Sequence, residues 1–229
     1  MSDRKAFWFL DNFDVGGMFC PKKAKVGLGN KQLREFKKDD YVYLPDEESD
    51  KIYFINEGRI KIGSYADNGK EITKAILSKG QVFGELAMIG EDKRRDYALA
   101  IESTNLCVVS SAEMKGMIKD HSSLSMFFMK MMGSKVIEME NRLESLVFKD
   151  SRSRIVEYLV ELVEKNGQRV GYEWVVRNFI THQEIANLTA TSRQTVTRVL
   201  YELRSDEILT FNRKRLLVRD MDKLKSEIK

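Results

Sequence analysis

Cysteine and histidine are both scarce in this chain, with only two of each among its 229 residues. Cys20 and Cys107 lie far apart and belong to no CxxC motif, so we expect two free thiols. An iron–sulfur cluster takes about four cysteine ligands, which this chain cannot supply. His121 and His182 have no metal-ligand spacing. This disfavours a histidine-rich zinc site, a Ser-His-Asp triad and a histidine-ligated haem.

Long hydrophobic runs are also missing. No apolar stretch approaches the roughly 20 residues that a membrane-spanning helix needs, so we expect no membrane partner. The opening residues MSDRKAFWFLDNFDV carry acids within their apolar part, which is not typical of a signal peptide. With 42% hydrophobic and 32% charged residues, the composition predicts a soluble cytoplasmic protein of one large or two modest domains.

Positive charge is concentrated near the carboxyl end of the chain. The formal net charge is +4. Between Arg177 and Arg219 the sequence has eight Lys or Arg residues and four Asp or Glu residues, so this window accounts for the whole surplus. A local basic surplus is typical of a protein with a polyanionic partner, although charge runs are more often solvated faces.

Short strand-like runs separated by turn signals fill the stretch from Tyr41 to Ser111. The alternation over Arg59–Ile62 and the turn at Asp67–Gly69 predict antiparallel hairpins in a small roll. An enzyme on a cupin-like roll is one alternative for such a fold. It requires clustered histidine and acidic ligands on the strands, and the two histidines lie outside them, so we expect no enzyme.

A long helix with an apolar seam follows the strands. About 25 residues from Ser123 to Phe148 contain no proline, which predicts a rod of roughly 37 Å. The seam could serve as the core of one chain, but this length favours a contact between two chains. The predicted dimer seam consists of Met129, Met132, Val136, Met139, Leu143 and Leu146.

Two short helices with capping signals follow in the carboxyl-terminal third. Thr181 with Glu184 forms a capping-box pattern, and Thr191 with Gln194 repeats it. The second helix has an apolar stripe of Val196, Val199, Leu200 and Leu203, and Arg193, Gln194, Thr197 and Arg198 share its other side. Two capped helices joined by about three residues predict a helix-turn-helix.

A basic hairpin completes this constellation. The segment EILTFNRKRLLVRD reads as two short strands around Asn212–Arg215, which is a wing suited to phosphate contact. Arginine can bind guanine with a bidentate fork, and glutamine can bind adenine in the same way. The candidate DNA-contacting residues are Thr181, His182, Gln183, Thr191, Ser192, Arg193, Gln194, Thr197, Arg198, Arg213, Lys214 and Arg215.

The segment THQEIANLTATSRQTVTRVLYELRSDEIL resembles the DNA-reading segment of the CRP/FNR family of bacterial transcription regulators. The resemblance extends over nearly everything after residue 40, including the stretch FGELAMIG. It implies an α+β fold with a jelly-roll-like antiparallel β-roll over residues 1–121, a dimerisation helix over 122–149 and a winged helix-turn-helix over 150–229. It also implies a homodimer that binds double-stranded DNA and RNA polymerase.

By this resemblance Arg193 and Arg198 are the principal base-reading residues. Gln194 departs from the Glu that is common in the family, which replaces an acceptor suited to cytosine by an amide suited to adenine.

A cyclic-nucleotide cassette is the second element that the resemblance implies. Gly84, Glu85, Leu86 and Arg95 match it, with the arginine for the phosphate and the carboxylate for the ribose. Asp96 stands where cyclic-AMP-binding members usually carry Ser or Thr, and its charge would oppose a phosphate. Met139 falls where the family's long helix offers hydroxyls to the adenine.

The sequence therefore leaves the effector undetermined. One alternative is a regulator that needs no effector, whose roll is a scaffold in which Glu85 and Arg95 pair with each other. Another is a ligand-binding or protein-interaction module that does not bind DNA, and the basic hairpin disfavours it.

Overall fold

The computed structural model describes residues 32–66, 69, 71–120 and 122–228. The chain divides into two compact units, Met1–Ser134 and Lys135–Lys229. The expectations for Cys20, His121 and the Asp67–Asn68 pair concern residues outside this described part.

The first unit is built from short strands in two antiparallel sheets. The strand order is β1-β8-β3-β6 in one sheet and β2-β7-β4-β5 in the other, which confirms the predicted antiparallel roll. The elements are β1 (Gln32–Phe36), β2 (Tyr41–Tyr43), β3 (Lys51–Glu57), β4 (Arg59–Tyr65), β5 (Glu71–Ser78), β6 (Val82–Phe83), β7 (Tyr97–Ala100) and β8 (Thr104–Ser110), followed by helices α1 (Ser111–Asp120) and α2 (Ser122–Phe148).

Strand β3 is buried on both faces, which explains why its sequence lacks alternation. Tyr53 and Ile55 belong to the core between the two sheets. Ile52 and Phe54 belong to a second apolar cluster with Met114 of α1 and the first turns of α2. A strand covered on both sides needs apolar residues at successive positions, so the run KIYFI is nearly continuous.

Two parts of the strand-like stretch from Tyr41 to Ser111 are divided into separate elements in the structure. The stretch QVFGELAMIG forms β6 and then one turn of 3₁₀-helix, Glu85–Met88. Gly84 precedes that turn with φ at 77°, a left-handed conformation that glycine adopts without strain. The stretch YALAIESTNLCVVS forms β7 and β8, which are separated at residues 101–103.

The second unit combines helices with a four-stranded antiparallel sheet of order β11-β12-β10-β9. Its helices α3 and α5 each bury an apolar stripe in the core of the unit. After the end of α2, its elements are α3 (Ser151–Asn166), β9 (Gln168–Val170), β10 (Glu173–Arg177), α4 (His182–Leu188), α5 (Arg193–Ser205), β11 (Leu209–Phe211), β12 (Arg215–Val218) and α6 (Met221–Ser226). The hairpin β9–β10 was not predicted, since QRV and EWVVR are too short to give a clear period.

Helix α2 keeps most of its predicted seam outside the core of this chain. Its fully buried side chains are Leu124 and Phe127, near its beginning. Five of the six seam residues are exposed, by 42% to 72%, and Met132 is half-buried. This exposure favours the interpretation of the seam as a contact between two chains over that of a core within one chain.

Candidate nucleic-acid interface

Helix α4 begins with the predicted capping box. The Thr181 hydroxyl accepts from the Glu184 backbone N–H at 3.2 Å, and the Glu184 carboxylate accepts from the Thr181 N–H at 2.8 Å. These two bonds satisfy donors that the first turn of a helix leaves free, so the start of α4 is fixed by local sequence.

Helix α5 begins one residue later than predicted. The N-cap is Ser192, whose hydroxyl accepts from the Thr195 N–H at 3.0 Å, and not Thr191. Thr191 closes the preceding turn instead, since its N–H donates to the Ala186 carbonyl at 2.9 Å. Ala190 has a positive φ of 49°, so the chain reverses there before it can begin a helix.

The polar face of α5 points away from the core, as its period predicts. The stripe residues Val196, Val199, Leu200 and Leu203 are at most 1% exposed. Arg193, Gln194 and Arg198 are exposed, and the Arg198 side chain is 71% accessible. Of the twelve candidate residues, only His182, Thr191 and Thr197 are half-buried, and the other nine are exposed.

Thr197 is held inside this surface by two hydrogen bonds. Its hydroxyl donates to the Arg193 carbonyl at 2.9 Å, and His182 Nδ1 lies 2.9 Å from the Thr197 hydroxyl oxygen. Because the hydroxyl hydrogen is already used, Nδ1 of His182 is the donor in the second bond. Thr197 thus joins α4 to α5 rather than offering a free hydroxyl.

Burial lowers the pKa of His182, and the neighbouring Arg193 lowers it further. The imidazole is therefore neutral at neutral pH. Its ring also meets the edge of Phe211, with centroids 5.5 Å apart.

The predicted wing is present as the hairpin β11–β12. The side-chain oxygen of Asn212 accepts from the backbone N–H groups of Lys214 and Arg215 at 2.8 and 2.9 Å, which fixes the turn. Arg213, Lys214 and Arg215 are exposed. Arg177 of β10 lies opposite Arg215 in the sheet and is also exposed, so the wing has a further cation that the motif did not include.

Two arginines that the sequence did not single out hold the turn between α4 and α5. Arg154 of α3 donates to the carbonyls of Thr189 and Ala190 at 3.0 and 3.3 Å, and to the Lys149 carbonyl at 2.7 Å. Arg142 of α2 donates to the Leu188 carbonyl at 2.9 Å. They satisfy carbonyl groups at the end of α4, and no local sequence signal reveals such long-range contacts.

The cassette of the roll differs from its expected arrangement at the arginine. Arg95 forms an ion pair with Glu91, not with Glu85, and its side chain is 68% exposed. The adjacent Arg94 is buried, donates to the carbonyls of Gly84 and Lys51 at 3.2 and 2.6 Å, and lies 4.5 Å over the Tyr43 ring.

Asp96 occupies the position that follows Arg95 with a carboxylate. It accepts from the Tyr43 hydroxyl at 3.4 Å and lies 3.4 Å from Lys74 Nζ. Burial and the charge of Asp96 raise the pKa of Tyr43. A cyclic phosphate bound at Arg95, as the resemblance implies, would have this carboxylate at the next residue, and the two negative charges would repel each other. Glu85 and Leu86 are half-buried, and Met139 is exposed in the second unit.

The described ranges contain no cluster of three or more His, Cys, Asp or Glu side chains suited to a metal ion. In the same part of the chain, no helix has the length and apolar character needed to cross a bilayer.

Two family models match most of the chain. One, described as a cyclic nucleotide-binding domain, matches residues 33–121, and a Crp-like helix-turn-helix domain matches residues 153–227. The global nitrogen regulator of Nostoc sp. is 27% identical over 188 residues, which cover 81% of this chain and 84% of that protein. The CRP-like cAMP-activated global transcriptional regulator of Mycobacterium tuberculosis is 26% identical over 203 residues, which cover 88% and 91%.

Solved structures support the same fold. FixK2 from Bradyrhizobium japonicum has a TM-score of 0.76 and 19% identity, with 86% of this chain and 97% of that chain covered. A CooA variant from Carboxydothermus hydrogenoformans has a TM-score of 0.75 and 24% identity, with 100% and 98% covered. At these identities the likeness concerns the fold alone.

The lowered pKa of His182 predicts a pH-dependent stability. The unfolded chain takes up a proton at His182 near pH 6.5, and the folded chain resists it until lower pH. The contribution of the neutral His182 to the free energy of unfolding should therefore be fully present above about pH 6.5. Below that pH the free energy of unfolding should fall, by at most about 1.4 kcal/mol per pH unit for one proton. Urea unfolding at a series of pH values, followed by tryptophan fluorescence, measures this slope.

The variant His182→Gln should lose that part of the slope, because its amide stays neutral and can still donate to Thr197. His121→Gln removes the chain's other histidine and serves as the matched control. Equal slopes for the wild type and His182→Gln would contradict the assignment.

Proposed function

This chain belongs to the CRP/FNR family of DNA-binding transcription regulators, and we propose that it acts as a homodimer that reads a two-fold related operator. The observation that carries this proposal is the exposed polar face of α5, with Arg193, Gln194 and Arg198 beside the exposed basic wing. In this proposal α5 enters the major groove and the wing lies along the backbone.

The exposed side chains divide into two roles by their chemistry. Arg193 and Arg198 can each present two N–H groups to guanine, and Gln194 can pair with adenine, so these three read bases. Arg213, Lys214 and Arg215 are exposed cations on a short turn, so they contact phosphates without reading sequence. RNA polymerase is the further partner that we propose for a transcription regulator. Because such a regulator acts on DNA in the bacterial cytoplasm, we propose that location for this protein.

The dimer in this proposal forms along the seam of α2. Exposed methionine, valine and leucine side chains repeat at spacings of three and four along this helix. An apolar stripe of this kind is stable in water only when another surface covers it. A second copy covers it with self-complementary spacing and places two α5 helices about 34–36 Å apart, one turn of DNA.

The roll, in this proposal, does not use cyclic AMP as its effector. The supporting observation is the Asp96 carboxylate, which lies next to the expected phosphate position and is held by Tyr43 and Lys74. Like charges about 4 Å apart cost roughly 4 kcal/mol at an effective dielectric of 20. Control by another effector in the roll, or no effector at all, remains compatible with this site.

Replacement of Arg198 by alanine should weaken binding to a selected operator by about 1–3 kcal/mol and relax base preference. The probe is a duplex that the purified wild-type protein selects from a random library, measured by fluorescence anisotropy at several salt concentrations. Lys214→Ala is the matched control. It should weaken binding to the selected and the scrambled duplex equally, and it should reduce the slope of log affinity against log salt concentration by about one. Unchanged binding of Arg198→Ala to the selected duplex would overturn the base-reading role.

Substitution of a seam residue by a charge should separate the dimer. Leu143→Glu places two carboxylates against each other across the seam, so sedimentation velocity should show monomers and operator affinity should fall strongly. Asn141→Glu adds the same charge on the opposite side of α2 and should leave the dimer intact. A dimeric Leu143→Glu variant would show that the subunits meet elsewhere.

Because of the Asp96 carboxylate, we expect that calorimetric titrations will show no saturable binding of cyclic AMP to the wild-type protein. Asp96→Ser removes the opposing charge and should produce saturable binding, whereas Asp92→Ser makes the same change in charge at an exposed position and should not. Saturable binding by the wild type would refute this part of the proposal.

A further inference from the structure

Tyr201 lies in the middle of the polar face of α5, although no motif pointed to it. At about 100° per residue, Arg193 and Arg198 lie about 140° apart around the helix axis. Tyr201 lies between them, about 80° from Arg193. Its side chain is 55% exposed. An aromatic residue at this place cannot be part of the apolar stripe, because the stripe faces the core from the other side of the helix.

The Tyr201 ring is braced by the wing. Its edge meets Phe211 of β11 with centroids 5.6 Å apart and an interplanar angle of 79°. Phe211 also contacts the rings of His182 at 5.5 Å and Phe179 at 6.5 Å. The guanidinium of Arg204 lies 5.9 Å from the same ring. Because one half-buried phenylalanine packs against α4, α5 and the loop before α4, Tyr201 is oriented before any partner arrives, which lowers the entropy cost of a contact.

The charge environment of Tyr201 suits an anionic partner. The adjacent Glu202 forms an ion pair with Arg152 and lies 3.9 Å from Arg198, and Arg152 also pairs with Glu227 at 2.7 Å. The two carboxylates of this group are therefore matched by two guanidinium groups. Within the described residues, the Tyr201 hydroxyl has no hydrogen-bond partner in the protein, so its O–H remains available as a donor.

The position of Tyr201 along α5 selects the phosphate backbone over the bases. Residues at the beginning of a recognition helix contact base edges. Tyr201 is eight residues after Arg193, about 12 Å further along the axis, where such a helix leaves the groove. Tyrosine hydroxyls are among the groups that position proteins on DNA through phosphate oxygens.

We propose that Tyr201 donates a hydrogen bond to a DNA phosphate and fixes the depth of α5 in the groove, braced by Phe211. This inference rests on the proposed function of α5. The contact is neutral, so it adds affinity without releasing a counterion, unlike the cations of the wing.

The variant Tyr201→Phe tests the inference, because it removes the hydroxyl and keeps the ring packing. Binding to the selected duplex and to a scrambled duplex should weaken equally, by about three- to tenfold as for one hydrogen bond, with an unchanged salt slope. Tyr172→Phe is the matched control, since Tyr172 is 91% exposed at the β9–β10 turn. This variant should bind both duplexes like the wild type. Circular dichroism checks that each variant is folded.

Unchanged affinity of Tyr201→Phe for both duplexes would overturn the inference, and so would a loss confined to the selected duplex, which indicates a base contact. Phe211→Leu provides a second measurement. If the brace orients the hydroxyl, the effect of Tyr201→Phe should shrink in that background, and full additivity would refute the brace. If the wild-type protein selects no duplex from the library, the proposed function itself is refuted. The selection that precedes the Arg198→Ala measurements gives that result independently of Tyr201.

Discussion

The burial of one apolar stripe fixes the orientation of the polar face of α5, which faces DNA in the proposed function. Val196, Val199, Leu200 and Leu203 are almost completely inaccessible, and each such burial contributes about 1.5–3 kcal/mol. Any rotation of α5 about its axis would expose part of this stripe. The polar side chains on the other face therefore share one orientation, although few of them are held by contacts of their own.

Contacts around α5 then restrict its remaining freedom. The His182–Thr197 hydrogen bond joins it to α4, and Phe211 packs between the beginning of α4 and the exposed side of α5. Arg154 and Arg142 bind the carbonyls that end α4. Through these arginines the helix-turn-helix is hydrogen-bonded to α3 and to the carboxyl-terminal half of α2. In the proposed dimer, the helix that brings two copies together is thus tied to the segment that reads DNA.

The roll uses neighbouring residues for opposite purposes. Arg94 is buried, and its guanidinium lies over Tyr43 while it donates to two backbone carbonyls. Arg95 points to solvent and pairs with Glu91, and Asp96 turns back toward Tyr43 and Lys74. The core of the roll is intact, and Arg95, which the resemblance assigns to a phosphate, is paired with Glu91 instead.

The sequence by itself determined the features that depend on local periodicity and local hydrogen bonds. These include the hairpins of the roll, the uninterrupted length of α2, the capping box at Thr181, the polar face of α5 and the wing turn at Asn212. The start of α5 was misplaced by one residue, because Thr191 and Ser192 both have capping chemistry and only the bond from Thr191 to Ala186 decides between them. Only the tertiary structure decided which of two adjacent arginines is buried, which carbonyls Arg154 and Arg142 bind, and that Phe211 braces Tyr201. Those contacts join residues that are distant in the chain, and their energy depends on packing geometry that no local pattern records.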